Sequence, residues 1–210
     1  MNQEQNDTPR YFQVTPSGAY YATLNTEAET LRALLLQLLS ADTHIPYLGS
    51  LLQKLTGLPE AEAETLLDKA VQHGFVDLPE APEPIPSGTI EDLLPKLLPS
   101  LADGRVLLAD DQGFCLGQSG FENEEAEAIA GMAADLVSMH ERHQALLGRH
   151  LGIDGSSWAL IDAVGQSELG FWTLHVGEQK FLLILEGMPH LNRQPFVDLM
   201  SVLIRRYLDY

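Results

Sequence analysis

The chain has 210 residues, 45% hydrophobic and 20% charged, enough apolar material for a real core in one large domain or two small ones. Twelve Lys and Arg against 30 Asp and Glu give a formal net charge of −18, which repels phosphate backbones and anionic lipid heads, so neither nucleic acid nor membrane is expected as a partner. A single cysteine, Cys115, excludes an internal disulfide, and the polar opening MNQEQNDTPR lacks the apolar core of a secretory signal, so a cytoplasmic protein is expected.

Residues 1–10 read as a disordered tail. Residues 11–24, YFQVTPSGAYYATL, carry two β-prone runs around Pro16-Ser17-Gly18 and predict a hairpin or a clasp onto a neighbouring domain, so that 1–25 precede the first domain. Thr26 and Glu29 match a capping box, with Thr26 as N-cap ahead of Leu31, Leu34, Leu35, Leu38 and Leu39 at helical spacing. Pro46 can open a second helix that Gly57 stops, and Pro59 a third that Gly74 ends, before a short strand at Phe75 to Leu78.

Three helices and a strand over 26–80, with KLTGLPEAEAETLLDKAVQHGFVDL across the later part, resemble the winged helix-turn-helix family. That resemblance implies DNA binding through a basic third helix. Here the third helix carries Glu60, Glu62, Glu64 and Asp68 against Lys69 alone, so a protein-interaction module is the better expectation. A DNA-associated regulator using this unit is the alternative.

Prolines 79, 82, 84 and 86 predict an extended, semi-rigid linker, with 81–88 as the boundary between domains. Beyond it, TIEDLLPKLLPSLA has helical leucines interrupted by Pro95 and Pro99. Two strands follow, Arg105 to Ala109 and Phe114 to Gly117, joined by the hairpin signal Asp110-Asp111-Gln112-Gly113. Asn123 is the expected N-cap of a long helix whose inner face holds Ala126, Ile129, Ala130, Ala133, Leu136, Val137 and His140. Three β-rich runs come next, over 158–163, 169–176 and 180–186, then a closing helix with the stripe Phe196, Leu199, Met200, Leu203, Ile204 and Tyr207.

The predicted order over 89–210 is α-β-β-α-β-β-β-α, an α+β domain. This order and the phrase GRVLLADDQGFCLGQSGFENEEAEAIAGMAADL resemble the roadblock/dynein light chain family. The resemblance implies a five-stranded antiparallel sheet with the long helix on one face and the terminal helices on the other. It further implies a non-catalytic homodimer that scaffolds or regulates a partner such as a small Ras-like GTPase, paired through the long helix and the neighbouring strand. The residues expected at that interface are Ala126, Ile129, Ala130, Ala133, Ala134, Val137, Trp158 and Leu160. Small residues on a helix let a second helix approach closely, which fits such pairing.

No reaction chemistry is expected. There is no phosphate-binding GxxxxGK[ST], and Phe121 breaks the GxSxG pattern around Ser119, which reads as a turn residue. His140, His143 and His150, with Glu141 or Asp135, are the best metal candidates by spacing. Their place near a helix C-terminus is accounted for by the dipole, and no metal or cofactor is expected. Cys115 reads as an inert thiol, Asp154-Gly155 as a turn, and Trp158, Phe171 and Trp172 as packing aromatics.

Overall fold

The computed structural model describes residues 8–153 and 155–208; the first seven residues of the expected tail, and Asp154 of the expected turn, lie outside them. The chain begins with strand β1 (Gln13–Val14) and helices α1 (Pro16–Thr23), α2 (Thr30–Ser40), α3 (Gly49–Thr56) and α4 (Glu60–Gln72), then strand β2 (Val76–Asp77). Helix α5 (Ile90–Leu97) leads through a 3₁₀ turn into β3 (Val106–Asp110) and β4 (Cys115–Ser119). Helix α6 (Asn123–Leu151), strands β5 (Trp158–Ile161), β6 (Ser167–Val176) and β7 (Gln179–Glu186), and helix α7 (Gln194–Tyr207) complete it. The expected α-β-β-α-β-β-β-α order over the second part is observed.

The sheet is fully antiparallel in the order β4-β3-β7-β6-β5, so β4 and β5 are its edges. Two buried clusters divide its faces by the period-two alternation of strands. Leu107, Ala109, Phe171, Leu182 and Ile184 meet Ala126, Ala130 and Ala133 of α6 on one face. Val106, Leu108, Leu174, Val176, Phe181, Leu183 and Leu185 point the other way, toward α5 and α7.

That second cluster continues through α7 into the N-terminal helices. Phe196, Leu199, Met200, Leu203 and Ile204 share it with Ala19, Ala22, Leu31, Leu34 and Leu35. Helix α7 is buried around almost its whole circumference, Val197, Ser201 and Val202 included, because the sheet lies on one side and α1 and α2 on the other. The segment expected as a semi-rigid linker lies along this junction. Glu83 N–H donates to Gln13 Oε1 at 2.9 Å, and Arg205 donates to the Pro86 carbonyl at 2.7 Å.

Several expectations about the N-terminal part are corrected. Residues 11–24 form no hairpin. β1 pairs with β2, and Thr15 caps α1, its Oγ1 accepting from Gly18 N at 3.1 Å with Pro16 at the first helical position. The capping box at Thr26 does not form either: α2 starts at Thr30, because Asn25 Oδ1 holds Glu27 N at 2.9 Å and the Glu29 carboxylate binds the Tyr21 hydroxyl. Helix α3 starts at Gly49 rather than Pro46, since Tyr47 N donates to Arg10 O and keeps 46–47 extended. Glu122, not Asn123, is the N-cap position of α6. The strand after α4 pairs back to β1 instead of opening a hairpin, so the wing that the winged-helix resemblance implies is not formed among the described residues.

Candidate interaction surface

Helix α6 seats its small residues against its own sheet. Ala126, Ala130 and Ala133 are 1%, 0% and 2% exposed, so three of the eight residues expected at an intersubunit interface are spent within the protomer. The physical reason is spacing: alanines at i, i+4 and i+7 form one narrow inner stripe, and the lack of bulk lets the axis settle low on Leu107, Ala109 and Leu182. Ile129, Ala134, Leu136 and Val137 flank this stripe half-buried. Gly131 lies on the outer side, where an added Cβ would meet nothing within 4 Å.

Trp158 opens β5 and is fixed from below. Its indole N–H donates to His140 Nδ1 at 3.2 Å, and the rings meet edge to face at 5.8 Å. His140 is therefore a buried acceptor. Two residues on, Leu160 projects to the same face as Trp158 but passes the rim of α6 and is 53% exposed.

Around Leu160 lies apolar surface not anticipated from sequence. Ile161 and Val164 are 66% and 79% exposed, and among the described residues β5 has a strand partner only on its β6 side. Along α6, Met132 and Leu146 face solvent, as do Leu151 and Ile153 where the helix ends at Gly152. The signal in the sequence is WALIDAV, whose apolar residues do not alternate with polar ones as a half-solvated strand requires. An unpaired edge carrying exposed Leu and Ile is an unusual feature that proteins cover or pair.

The helix is pinned to the sheet by charge at its first turn. Arg105 binds Glu186 Oε2 of β7 at 2.5 Å and Glu125 Oε1 of α6 at 2.7 Å, its guanidinium 4.4 Å above the Phe121 ring. The bond from Arg105 holds the Glu186 carboxyl below the usual carboxylate range. Further along, Lys180 of β7 pairs with Glu141.

His143 and His150 stand exposed on α6, away from the buried His140, and among the described residues no group of three or more His, Cys, Asp or Glu is placed to hold a metal. Cys115 lies half-buried in edge strand β4, where burial and then the nearby Glu127 push its thiol above the ordinary value. Ser119 pairs with Val106 in the β3–β4 ladder. Phe171 is buried beneath α6, while Trp172 packs on the opposite face. On the N-terminal unit, Glu60, Glu62 and Asp68 of α4 face solvent, and Glu64 accepts from the Tyr47 hydroxyl at 3.1 Å. No helix among the described residues is long and apolar enough to cross a membrane.

No protein-family model matches the chain, and no curated protein does. Among solved structures it is similar to a roadblock/LC7 domain from Streptomyces avermitilis, at 12% identity over 57% of this chain and 93% of that one, with a TM-score of 0.36. It is also similar to Myxococcus xanthus MglB, at 16% identity over 57% and 98%, TM-score 0.39. A third similar structure is the gliding protein MglB from Thermus thermophilus, at 16% identity over 60% and 96%, TM-score 0.35.

Proposed function

We propose that this protein is a non-catalytic homodimeric scaffold that presents a composite surface to a protein partner, with a small Ras-like GTPase as the partner class. The observation that carries the reading is the exposed apolar edge: among the described residues β5 has a strand neighbour on its β6 side alone, and its Leu160 and Ile161 are 53% and 66% exposed. Two copies joined there by a two-fold axis extend one sheet into the next and bury these side chains, with no change inside either protomer. The GTPase follows from the element order and its roadblock resemblance. The inner alanines contribute by setting α6 low on the sheet, while Ile129, Ala134, Val137, Trp158 and Leu160 remain at or near the contact.

Light scattering of the purified chain at micromolar concentration is expected to give twice the 23.1 kDa chain mass. Replacing Leu160 and Ile161 together by Asp places carboxylates on the joined edge, and a monomer with unchanged circular dichroism is expected. A strict monomer for the unaltered chain overturns the dimer. If the chain is dimeric and a panel of small GTPases loaded with GTP analogue shows no binding by calorimetry, the dimer stands and the partner class is wrong.

A further inference from the structure

Helix α6 turns one side to the sheet and leaves the opposite side uncovered. Its buried residues Ala126, Ala130, Ala133 and His140 fix the inner direction, so the residues met from Glu124 to Arg149 in steps of three or four face away from it. All on this outer stripe are exposed except Met139, which is half-buried. The strands at the two sheet edges occupy the flanks, not the stripe: the β3–β4 turn reaches α6 on one, and Trp158 of β5 meets His140 on the other. The stripe changes character along its length. Its first half carries Glu124 and Asp135 with the small Ala128 and Gly131 between them, and its second half carries Arg142 and Arg149 with Met139 and Leu146. Among the described residues none of the four charged groups forms an ion pair within the chain. The helix dipole accounts for an acid in the first turn and a base in the last. Its effect does not extend to Asp135 and Arg142, which lie well inside both ends.

We propose that this stripe is a self-complementary face on which α6 of a second copy lies antiparallel, at a surface separate from the β5 edge. Turning the helix end for end about the midpoint between Asp135 and Met139 sets Glu124 opposite Arg149 and Ala128 opposite Leu146. It also sets Gly131 opposite Arg142 and Asp135 opposite Met139, and symmetry repeats each pair. Opposite charges meet at both ends, and at each inner position a short side chain faces a long one, as interdigitating helices require. With no side chain on Gly131, the Arg142 stem can lie flat there and its guanidinium reach Asp135, one turn along. A parallel pairing sets Glu124 against Glu124 and Arg149 against Arg149. The antiparallel contact runs roughly 38 Å along the helix, at about 1.5 Å per residue. Exposed ion pairs contribute little each, so this face joins copies at about 100 µM, a higher concentration than the β5 edge needs. Where both faces act, four chains assemble.

Sedimentation equilibrium of the full chain from about 5 to about 500 µM reads this face. Leu160→Asp with Ile161→Asp blocks the β5 edge and isolates it: the mass is expected to rise from one chain toward two over that range. In the unaltered chain the mass is expected to rise above its low-concentration value. Gly131→Leu fills the position facing Arg142; with open space around it and better helix propensity than glycine, it leaves the protomer folded. Association is then expected to weaken about tenfold or more. Arg142→Glu with Arg149→Glu makes the stripe's charges wholly acidic, and Glu124→Arg with Asp135→Arg makes them wholly basic. Neither variant is expected to associate alone, and an equimolar mixture is expected to recover the pairing. Circular dichroism checks that each is folded. The proposal is overturned by a mass that does not rise, or by association unaltered within about twofold in either Gly131→Leu or Arg142→Glu with Arg149→Glu. A mixture that fails to pair overturns it equally. An unaltered chain that is monomeric at micromolar concentration yet pairs through these residues higher up refutes the β5 edge and supports this face.

Discussion

Gly18 shows how a single position can be misread and why the structure needs it. In sequence, Pro16-Ser17-Gly18 fits a turn, yet the same Thr15-Pro16 pair is also a cap followed by a first helical residue, and the helix wins. Local signals do not separate the two, because the deciding contact is 57 residues away: a Cβ on Gly18 would stand 2.1 Å from the carbonyl oxygen of Phe75. Glycine here permits close backbone approach within a helix rather than an unusual torsion. Gly18→Ala is expected to destabilise the chain by about 1–3 kcal/mol, since α1 must lift from the β2 end of the chain. Urea unfolding measures this, and a change below about 0.5 kcal/mol would show that the contact yields easily. The same logic applies to the interface alanines, whose identity was plain and whose direction was not.

At the scale of elements, strands and helices of the second part were legible because their periodicities are strong. Hairpins β3–β4 and β6–β7 and the long α6 lie where alternation, the turn residues Asp110 to Gly113 and Gly177-Glu178, and 3.6-residue spacing put them. What the periodicity lacked was the bond that locks α6 onto the sheet. Arg105 just before β3, Glu125 in α6 and Glu186 at the end of β7 are far apart in the chain, and no local pattern pairs them. Because Arg105 lowers the Glu186 carboxyl in the folded chain, its contribution is fully present above the ordinary carboxylate pKa and disappears as pH falls through the lowered value. Glu186→Gln is expected to be less stable than the unaltered chain near neutral pH, with the gap closing on acidification below about pH 4. Urea midpoints over a pH series test this, and a gap independent of pH would remove the charge argument.

For the whole molecule, the chief difference between expectation and structure concerns independence of the parts. Four prolines suggested two bodies on a tether, whereas one buried cluster runs from Leu34 and Leu35 through Phe196 and Ile204 to Phe181 and Leu183. The clue was present in α7, where Val197 and Val202 fall outside the single stripe and mark a helix covered on two sides. A shared core makes the two parts stand or fall together. Thermal unfolding is expected to be one transition, coincident in far-ultraviolet dichroism and in the fluorescence of Trp158 and Trp172. Two resolved steps would show that the N-terminal helices fold apart from the sheet.

By itself the amino-acid order determined the elements of the second part, their succession, the absence of any familiar reaction motif and the acidic character of the surface. These follow from side-chain period, turn chemistry and charge, all of which are local or additive. Only the tertiary structure decided where apolar surface remains uncovered: Ala126, Ala130 and Ala133 turn inward, Leu160 and Ile161 stay outside, and the proline segment lies down on α7. Burial belongs to pairs of surfaces distant in the chain, and a residue's own chemistry cannot say whether its partner is the same molecule or another.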